Sequence, residues 1–291
     1  MIAALSKEAQ FMNLKCTRNH SNSHGRSGAI VLALALAVGG AAAAAEEMRI
    51  AGTGAALGTV ELLAGEFSRR NPDIRITTIA NLGSVGSIKA VSNGAIELAL
   101  ASRPLNERES KPGVSQLEYA RTPFVFAVSA KSAVSAITRQ ELADIYSGKV
   151  ANWPDGSKIR VVLRPASDID TALVKGLSPA LGQAVAAAEA RPGVQYAVTD
   201  QDAANDLERI PGAIGPSSLA LILSERRALR ALQLDGVEPS VANAVAKAYP
   251  LYKRIFFVTG PKRSAAAERF IAFVQSPVGR KILTDNGHWI P

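Results

Sequence analysis

Two hydrophobic periods take turns along most of this chain. Met48-Arg49-Ile50-Ala51 reads as a strand, and Val60, Leu63, Ala64 and Phe67 then fall at i, i+3, i+4 and i+7, one face of a helix. Asn71-Pro72-Asp73 stops that helix, and residues 74–79 alternate like a strand. A short helix carrying Ile88 and Val91 ends at Asn93-Gly94. Residues 96–101 and 124–128 are apolar enough for buried strands. A second set follows. Thr138-Arg139-Gln140-Glu141 is a capping box, in which the Thr hydroxyl and the Glu carboxylate each satisfy a free N–H at the helix start. Leu142, Ile145 and Tyr146 form the buried face of that helix, and Gly148 ends it. Residues 159–163 predict a strand, 194–198, 212–215 and 229–234 shorter ones, and 254–258 the last. Two helices close the chain. One buries Phe270, Ile271 and Val274; the other opens at Ser276-Pro277 and ends at Asn286-Gly287. Strand and helix in alternation predict α/β layers, in one domain or two lobes.

The first 45 residues break this pattern. Lys15, Arg18 and Arg26 precede an apolar run at 29–38, and Gly39-Gly40 and Ala41 to Ala45 follow. A basic region, a short apolar stretch and an Ala-x-Ala end read as a secretory signal peptide, residues 1–45, cleaved after Ala45. The apolar run falls short of the about 20 residues that a membrane span needs. The basic region is long, so the true start is Met1 or Met12. Export to the periplasm is the expected outcome. Removing Lys7, Lys15, Arg18, Arg26 and Glu8 with the leader lowers the formal charge by three, from +8 to +5. Cys16, the one cysteine, leaves too, so the exported protein relies on apolar burial rather than disulfides. A modest positive charge steers anionic solutes. Scattered basic residues, few aromatics and no nucleic-acid motif argue against DNA or RNA as a partner.

Candidate chemistry collects in the loops that precede helices. Gly83-Ser84-Val85-Gly86-Ser87-Ile88-Lys89 places small and hydroxyl-bearing residues at a helix start, and the strand at 96–101 runs into Ser102-Arg103. Helix-start N–H groups, serine hydroxyls and a guanidinium suit a small oxyanion. Thr53-Gly54-Ala55-Ala56 is either an anion-contact loop or an ordinary strand-to-helix turn. Gly52-x-Gly54-x-x-x-Gly58 lacks the spacing of a dinucleotide loop. His288 is the single histidine after the leader, which supplies neither a zinc ligand set nor a base for a serine nucleophile, and no G-x-S-x-G elbow occurs. Glu46-Glu47 and the pairs Asp200/Asp202 and Asp206/Glu208 read as solvated or capping carboxylates, and Trp153 as packing a surface. No catalytic residue, metal or cofactor is assigned.

The chain resembles the periplasmic phosphate-binding proteins of ABC transporters and the wider phosphate-binding-like family. The resemblance rests on ordered segments: Ala51-Gly52-Thr53-Gly54, Gly83-Ser84-Val85-Gly86-Ser87, Leu100-Ala101-Ser102-Arg103-Pro104-Leu105, Thr138 to Trp153, Arg209-Ile210-Pro211-Gly212-Ala213-Ile214-Gly215, and Tyr249-Pro250-Leu251. It implies a two-lobed α/β fold of the type II periplasmic binding protein class, each lobe a sheet flanked by helices, with the ligand cleft between. The implied lobes are residues 46–127 with 254–291, and 128–253. The implied ligand residues are Thr53, Gly54, Ala55, Ser84, Ser102, Arg103, Arg164, Ser167 and Thr171.

One departure from the family stands out. The usual Arg followed by Ser-Gly-Thr becomes Arg164-Pro165-Ala166-Ser167-Asp168-Ile169-Asp170-Thr171. A carboxylate about 4 Å from a phosphate charge costs on the order of 4 kcal/mol at an effective dielectric near 20. Asp168 and Asp170 therefore cap the helix and face away, or accept a hydrogen bond from a protonated oxyanion, or mark a ligand other than phosphate. The expected function is capture of a phosphate-like oxyanion by hinge closure, as a monomer, for delivery to a membrane ABC permease, without catalysis. The rivals are a relative that binds another solute or acts as a sensor, and a secreted α/β hydrolase.

Overall fold

The computed structural model describes residues 45–192 and 195–291. The predicted leader lies outside these residues except for Ala45, as does the first residue of the predicted strand at 194–198. The chain begins with β1 (Glu46–Gly52), α1 (Gly54–Arg70), β2 (Ile74–Ile79), α2 (Gly83–Ser92) and β3 (Leu98–Ala101). β4 (Ser115–Ser129) follows, then β5 (Ala136–Ile137), α3 (Arg139–Ser147), β6 (Arg160–Leu163), α4 (Ile169–Gly176) and α5 (Pro179–Glu189). Next come β7 (Gln195–Tyr196), α6 (Asp200–Arg209), β8 (Ala213–Ser218), α7 (Leu219–Ser224), β9 (Leu229–Ala231), β10 (Gln233–Leu234) and α8 (Val241–Val245). β11 (Tyr252–Thr259), α9 (Ala265–Gln275) and α10 (Pro277–Asp285) complete it.

The main sheet runs β2-β1-β3-β11-β4-β8-β6-β7, with β9 also on β4 and a separate β10-β5 pair. β1 is parallel to β2 and β3, and β6 is parallel to β7 and β8. β11 lies antiparallel between β3 and β4. β4 belongs to both halves. Residues 115–123 pair with β11, and from Phe124 on the strand pairs with β8 and β9. Pro123 stands where the partner changes, a place where its missing N–H costs no ladder bond. The register shift between Ile255 and Phe256 places Tyr119 as an extra residue in β4, a bulge that adds twist.

Each half has its own core. The first joins Met48, Ile50, Leu63, Phe67 and Leu100 to Phe257, Phe270 and Leu283 from the end of the chain. Phe67 and Phe270 meet edge to face at 5.4 Å, and Tyr119 stacks on Phe257 at 3.8 Å. The second core contains Phe124, Phe126, Leu142, Tyr146, Leu163, Leu181 and Tyr249. The Tyr249 hydroxyl donates to the Phe124 carbonyl at 2.9 Å.

Most elements follow their local signals. Thr138 and Glu141 form the expected capping box, Gly148 ends α3 in the left-handed region, and Ser276 caps α10 ahead of Pro277. Three expectations need correction. β4 begins at Ser115 rather than at 124. Its first half carries Glu118 and Arg121, which pair with each other at 2.6 Å, so charge concealed a strand edged by an ion pair. The segment 229–234 is two short strands separated at Leu232, and β8 continues past 215 to Ser218.

The C-terminus is tied in. Trp289 and Arg121 exchange backbone hydrogen bonds at 2.8 and 2.9 Å, and His288 is fully buried with Nε2 3.1 Å from the Thr59 hydroxyl. Burial pushes the His288 imidazole pKa down to about 4, against a smaller opposing pull from the Arg121 backbone. A histidine held neutral in the fold stabilises it above the unfolded value near 6.5, and that stability is lost as pH falls towards 4. We expect the difference in unfolding free energy between wild type and His288→Gln to shrink by on the order of 3 kcal/mol over that window. Urea titrations at pH 7 and pH 4 measure it, and parallel pH profiles for the two proteins would refute the assignment.

Candidate functional site

Helix starts from both halves converge on one cleft. α2 follows Asn81 and opens at Gly83, both at positive φ, and this turn aims Ser84 at the end of β3. The Ser84 hydroxyl accepts from the Ser102 N–H at 3.1 Å and lies 3.2 Å from the Ser102 hydroxyl. Across the gap, Asp168 caps α4 by accepting from the Asp170 N–H at 2.9 Å. Ser84, Ser102, Arg103, Ser167 and Asp168 share the lining of one cavity of about 190 Å³ with the exposed side chains of Leu82, Val85 and Val198.

The guanidinium groups at this cleft already have partners. Arg103 makes a bidentate pair with Glu109, two bonds of 2.7 Å. That hydrogen bonding raises the Arg103 pKa and holds the Glu109 carboxyl below its usual range. Arg164 is buried and donates to the Ala197 carbonyl at 2.8 Å and to Asp168 at 2.7 Å. Thr171 is turned inward, its hydroxyl donating to the carbonyls of Arg164 and Pro165, each at 3.0 Å.

Beneath the cavity lies a buried ionic cluster. The Lys253 ammonium, on β11, sits 2.6 Å from Asp170 Oδ1 and 2.9 Å from Asp200 Oδ1. Arg164 adds longer contacts, Nε to Asp170 at 3.7 Å and Nη2 to Asp200 at 4.0 Å. Lys253 and Asp170 are each 1% exposed. Thr53 leaves the start of α1 uncapped and donates its hydroxyl to Asp200 at 3.2 Å. A Cβ at Gly54 would fall 2.1 Å from Gln201 Oε1 and 2.6 Å from Asp200 Cβ, so glycine here lets α6 approach α1. Ala55 is buried beside them.

The predicted residues thus separate into two groups. Ser84, Ser102, Arg103 and Ser167 meet at an open cavity. Thr53, Gly54, Ala55, Arg164 and Thr171 lie in or around the closed cluster under it. Asp200 is a correction. Rather than a solvated or capping carboxylate it is a buried ion-pair partner; Asp202 supplies the cap, with Thr199. Lys253 and Glu109 were not singled out from the sequence. Lys253 had a readable signal, because it shares the period-two inward face of β11 with Ile255 and Phe257.

Charge decides how the cluster titrates. Burial pushes Asp170 up to about 7, against the pull of Lys253. Burial also opposes ionisation of Asp200, but Lys253 and Arg164 overcome it and hold this carboxyl below the usual range. Lys253 is held above its ordinary value, because Asp170 and Asp200 outweigh its burial. Among the described residues no group of His, Cys, Asp and Glu is placed to hold a metal ion.

Comparison with known proteins relates the chain and its fold to a family. A model of the PBP superfamily domain matches residues 37–278. The phosphate-binding protein PstS of Bacillus subtilis (strain 168) is 27% identical over 84% of this chain and 81% of its own. PstS of Borreliella burgdorferi is 24% identical over 76% of this chain and 81% of its own. Among solved structures, a protein from Clostridium perfringens assigned as a phosphate ABC transporter substrate-binding protein, with bound phosphate, is 23% identical with a TM-score of 0.70. It covers 84% of this chain and all of that one, and the likeness shows the two-lobed α/β fold.

Removing one member of the cluster leaves opposite charges buried without a partner. We expect Lys253→Met to lower stability by about 3–5 kcal/mol. The double variant Lys253→Met/Asp170→Asn should recover part of that loss, because it removes the charge left behind. Chemical denaturation at pH 8 measures both. Equal stability of wild type and Lys253→Met would mean that the ammonium carries no weight in the fold.

Proposed function

Because the chain belongs to the PBP superfamily, we propose that it is an exported solute-binding receptor that captures a small protonated oxyanion, phosphate first among them, for a membrane ABC importer. The observation that carries this reading is the convergence of Ser84, Ser102, Arg103 and Ser167 on one cavity beside the start of α2. Hydroxyls and helix-start N–H groups are the donors an oxyanion needs. The names of the two bacterial relatives support phosphate as the ligand.

The carboxylate in the lining sharpens the choice. Both Asp168 oxygens already accept one bond each, from the Asp170 N–H and from Arg164, and each keeps a free lone pair. A phosphate that retains a proton can donate to Asp168. Sulfate has no proton to give at neutral pH and meets only repulsion. In this reading residues 46–127 and 254–291 form one lobe and 128–253 the other, residues 1–45 are removed on export, and the receptor acts as a monomer. Closure strengthens each charge-assisted bond by excluding water, and no covalent chemistry takes place.

The carboxylate partners of Arg103 and Arg164 favour a second reading, a relative tuned to a different solute or to sensing. Calorimetry of ligand-stripped protein against phosphate, sulfate, molybdate and tungstate separates the two. We expect phosphate to bind at least tenfold more tightly than sulfate. Ser84→Ala should weaken phosphate about ten- to a hundredfold, the loss of one or more hydrogen bonds to a charged group, and should cost about 1–3 kcal/mol of ligand-free stability because the Ser102 N–H loses its acceptor. No heat with phosphate, or equal affinity for sulfate, would overturn the phosphate assignment.

A further inference from the structure

We propose that the floor of the cleft, formed by the start of α1, Arg164 and Lys253, is an anion subsite that the chain fills with its own carboxylates, Asp170 and Asp200. This rests on the solute-receptor reading and adds an internal competitor to it. A soluble oxyanion then reaches only the outer cavity, while the strongest cations of the cleft stay occupied from within.

Three observations carry the inference. Thr53, at the start of α1, donates its hydroxyl to Asp200 instead of to its own helix. Two cations from separate elements, Lys253 on β11 and Arg164 after β6, face the same two carboxylates. The cluster is also incompletely satisfied. Arg164 Nε and both Asp170 oxygens are buried with no directed hydrogen bond from a described residue, and Arg164 as a whole is 4% exposed. An ion-pair cluster serving packing alone gains little over apolar side chains of the same volume. A helix start and two cations form the donor set of an anion site, and Asp170 oxygens and an Arg164 Nε that meet opposite charges without directed bonds mark an occupant that fits it imperfectly.

The charge count gives the consequence. Lys253 and Arg164 are balanced by Asp170 and Asp200, and Asp168 at the rim adds a further negative charge. With all five ionised the net charge is −1, and neutralising either inner carboxylate brings it to zero and frees the donors that this carboxylate occupied at a buried helix start. The groups facing Asp170 are Lys253 from β11, Asp200 from α6, Arg164 after β6, Asp168 at the α4 cap, and Tyr146 from α3. Protonation of Asp170 would act in the same direction as its substitution.

The test compares wild type, Asp170→Asn and Asp200→Asn by calorimetry with inorganic phosphate at pH 8, each with and without Ser84→Ala. We expect either inner variant to bind phosphate at least tenfold more tightly than wild type, and the gain to survive Ser84→Ala, which disables only the outer cavity. If wild type is silent and an inner variant binds, the internal occupant is supported and the phosphate reading of wild type fails. If wild type binds and the inner variants match it, the phosphate reading stands and the internal occupant is refuted. If neither wild type nor a folded inner variant binds, both fall. Should the variants not fold, wild type is titrated with sulfate, whose charge is constant between pH 6 and 8.5. Affinity rising at least tenfold towards pH 6 supports the proposal, and a flat profile overturns it.

Discussion

One lysine on β11, the strand between β3 and β4, fixes the geometry of this cleft. A buried ammonium cannot stand alone in a medium of low polarity, so Lys253 requires carboxylates within contact distance. Asp170 and Asp200 meet that need from the starts of two different helices, at 2.6 and 2.9 Å. Those contacts tie the starts of α4 and α6 to β11 through side chains. They bring Asp200 to Thr53 and Gln201 to the Gly54 carbonyl, so the start of α1 is drawn into the same assembly. The outer cavity takes its shape from what lies beneath it. Ser167 and Asp168 sit where α4 is anchored, opposite the Ser84–Ser102 pair.

Much of the fold was legible because it depends on local rules. The α1 stripe, the Thr138 capping box and the Ser276-Pro277 start each follow from a few neighbouring residues. One wall of the outer cavity was legible for a related reason, since small residues, hydroxyls and a helix start lie next to each other at 83–87, whereas Ser167 was named only through the family resemblance. The inner cluster was not legible, since Thr53, Arg164, Asp170, Asp200 and Lys253 are separated by up to 200 positions, taking 53 from 253. Nothing local distinguishes Asp200 from a solvated carboxylate at a helix start. What distinguishes it is a lysine on the inward face of a distant strand. The first half of β4 was hidden for the opposite reason. Its charged residues suggest exposure, and ion pairing lets them sit in a sheet.

The departure at Arg164–Thr171 also has a physical resolution. Asp168 both caps α4 and lines the cavity, so the two roles are compatible in one side chain. Asp170, two positions on, points into the interior and is matched there by Lys253. Two aspartates in one loop therefore have different environments. One keeps access to a solute, and the other is sequestered.

The placement of β11 has a consequence for how the chain is made. This strand lies between β3 and β4, yet it is synthesised more than a hundred residues after both have emerged, as 252 lies 123 positions beyond 129. Until then the first half lacks a central rung of its sheet, the Phe257 and Phe270 side of its core, and the Trp289 clasp on Arg121. Pairings this distant close slowly. The N-terminal half stays without its completed sheet until the last residues are available, and a truncation near the C-terminus removes core from the start of the protein, not only from its end.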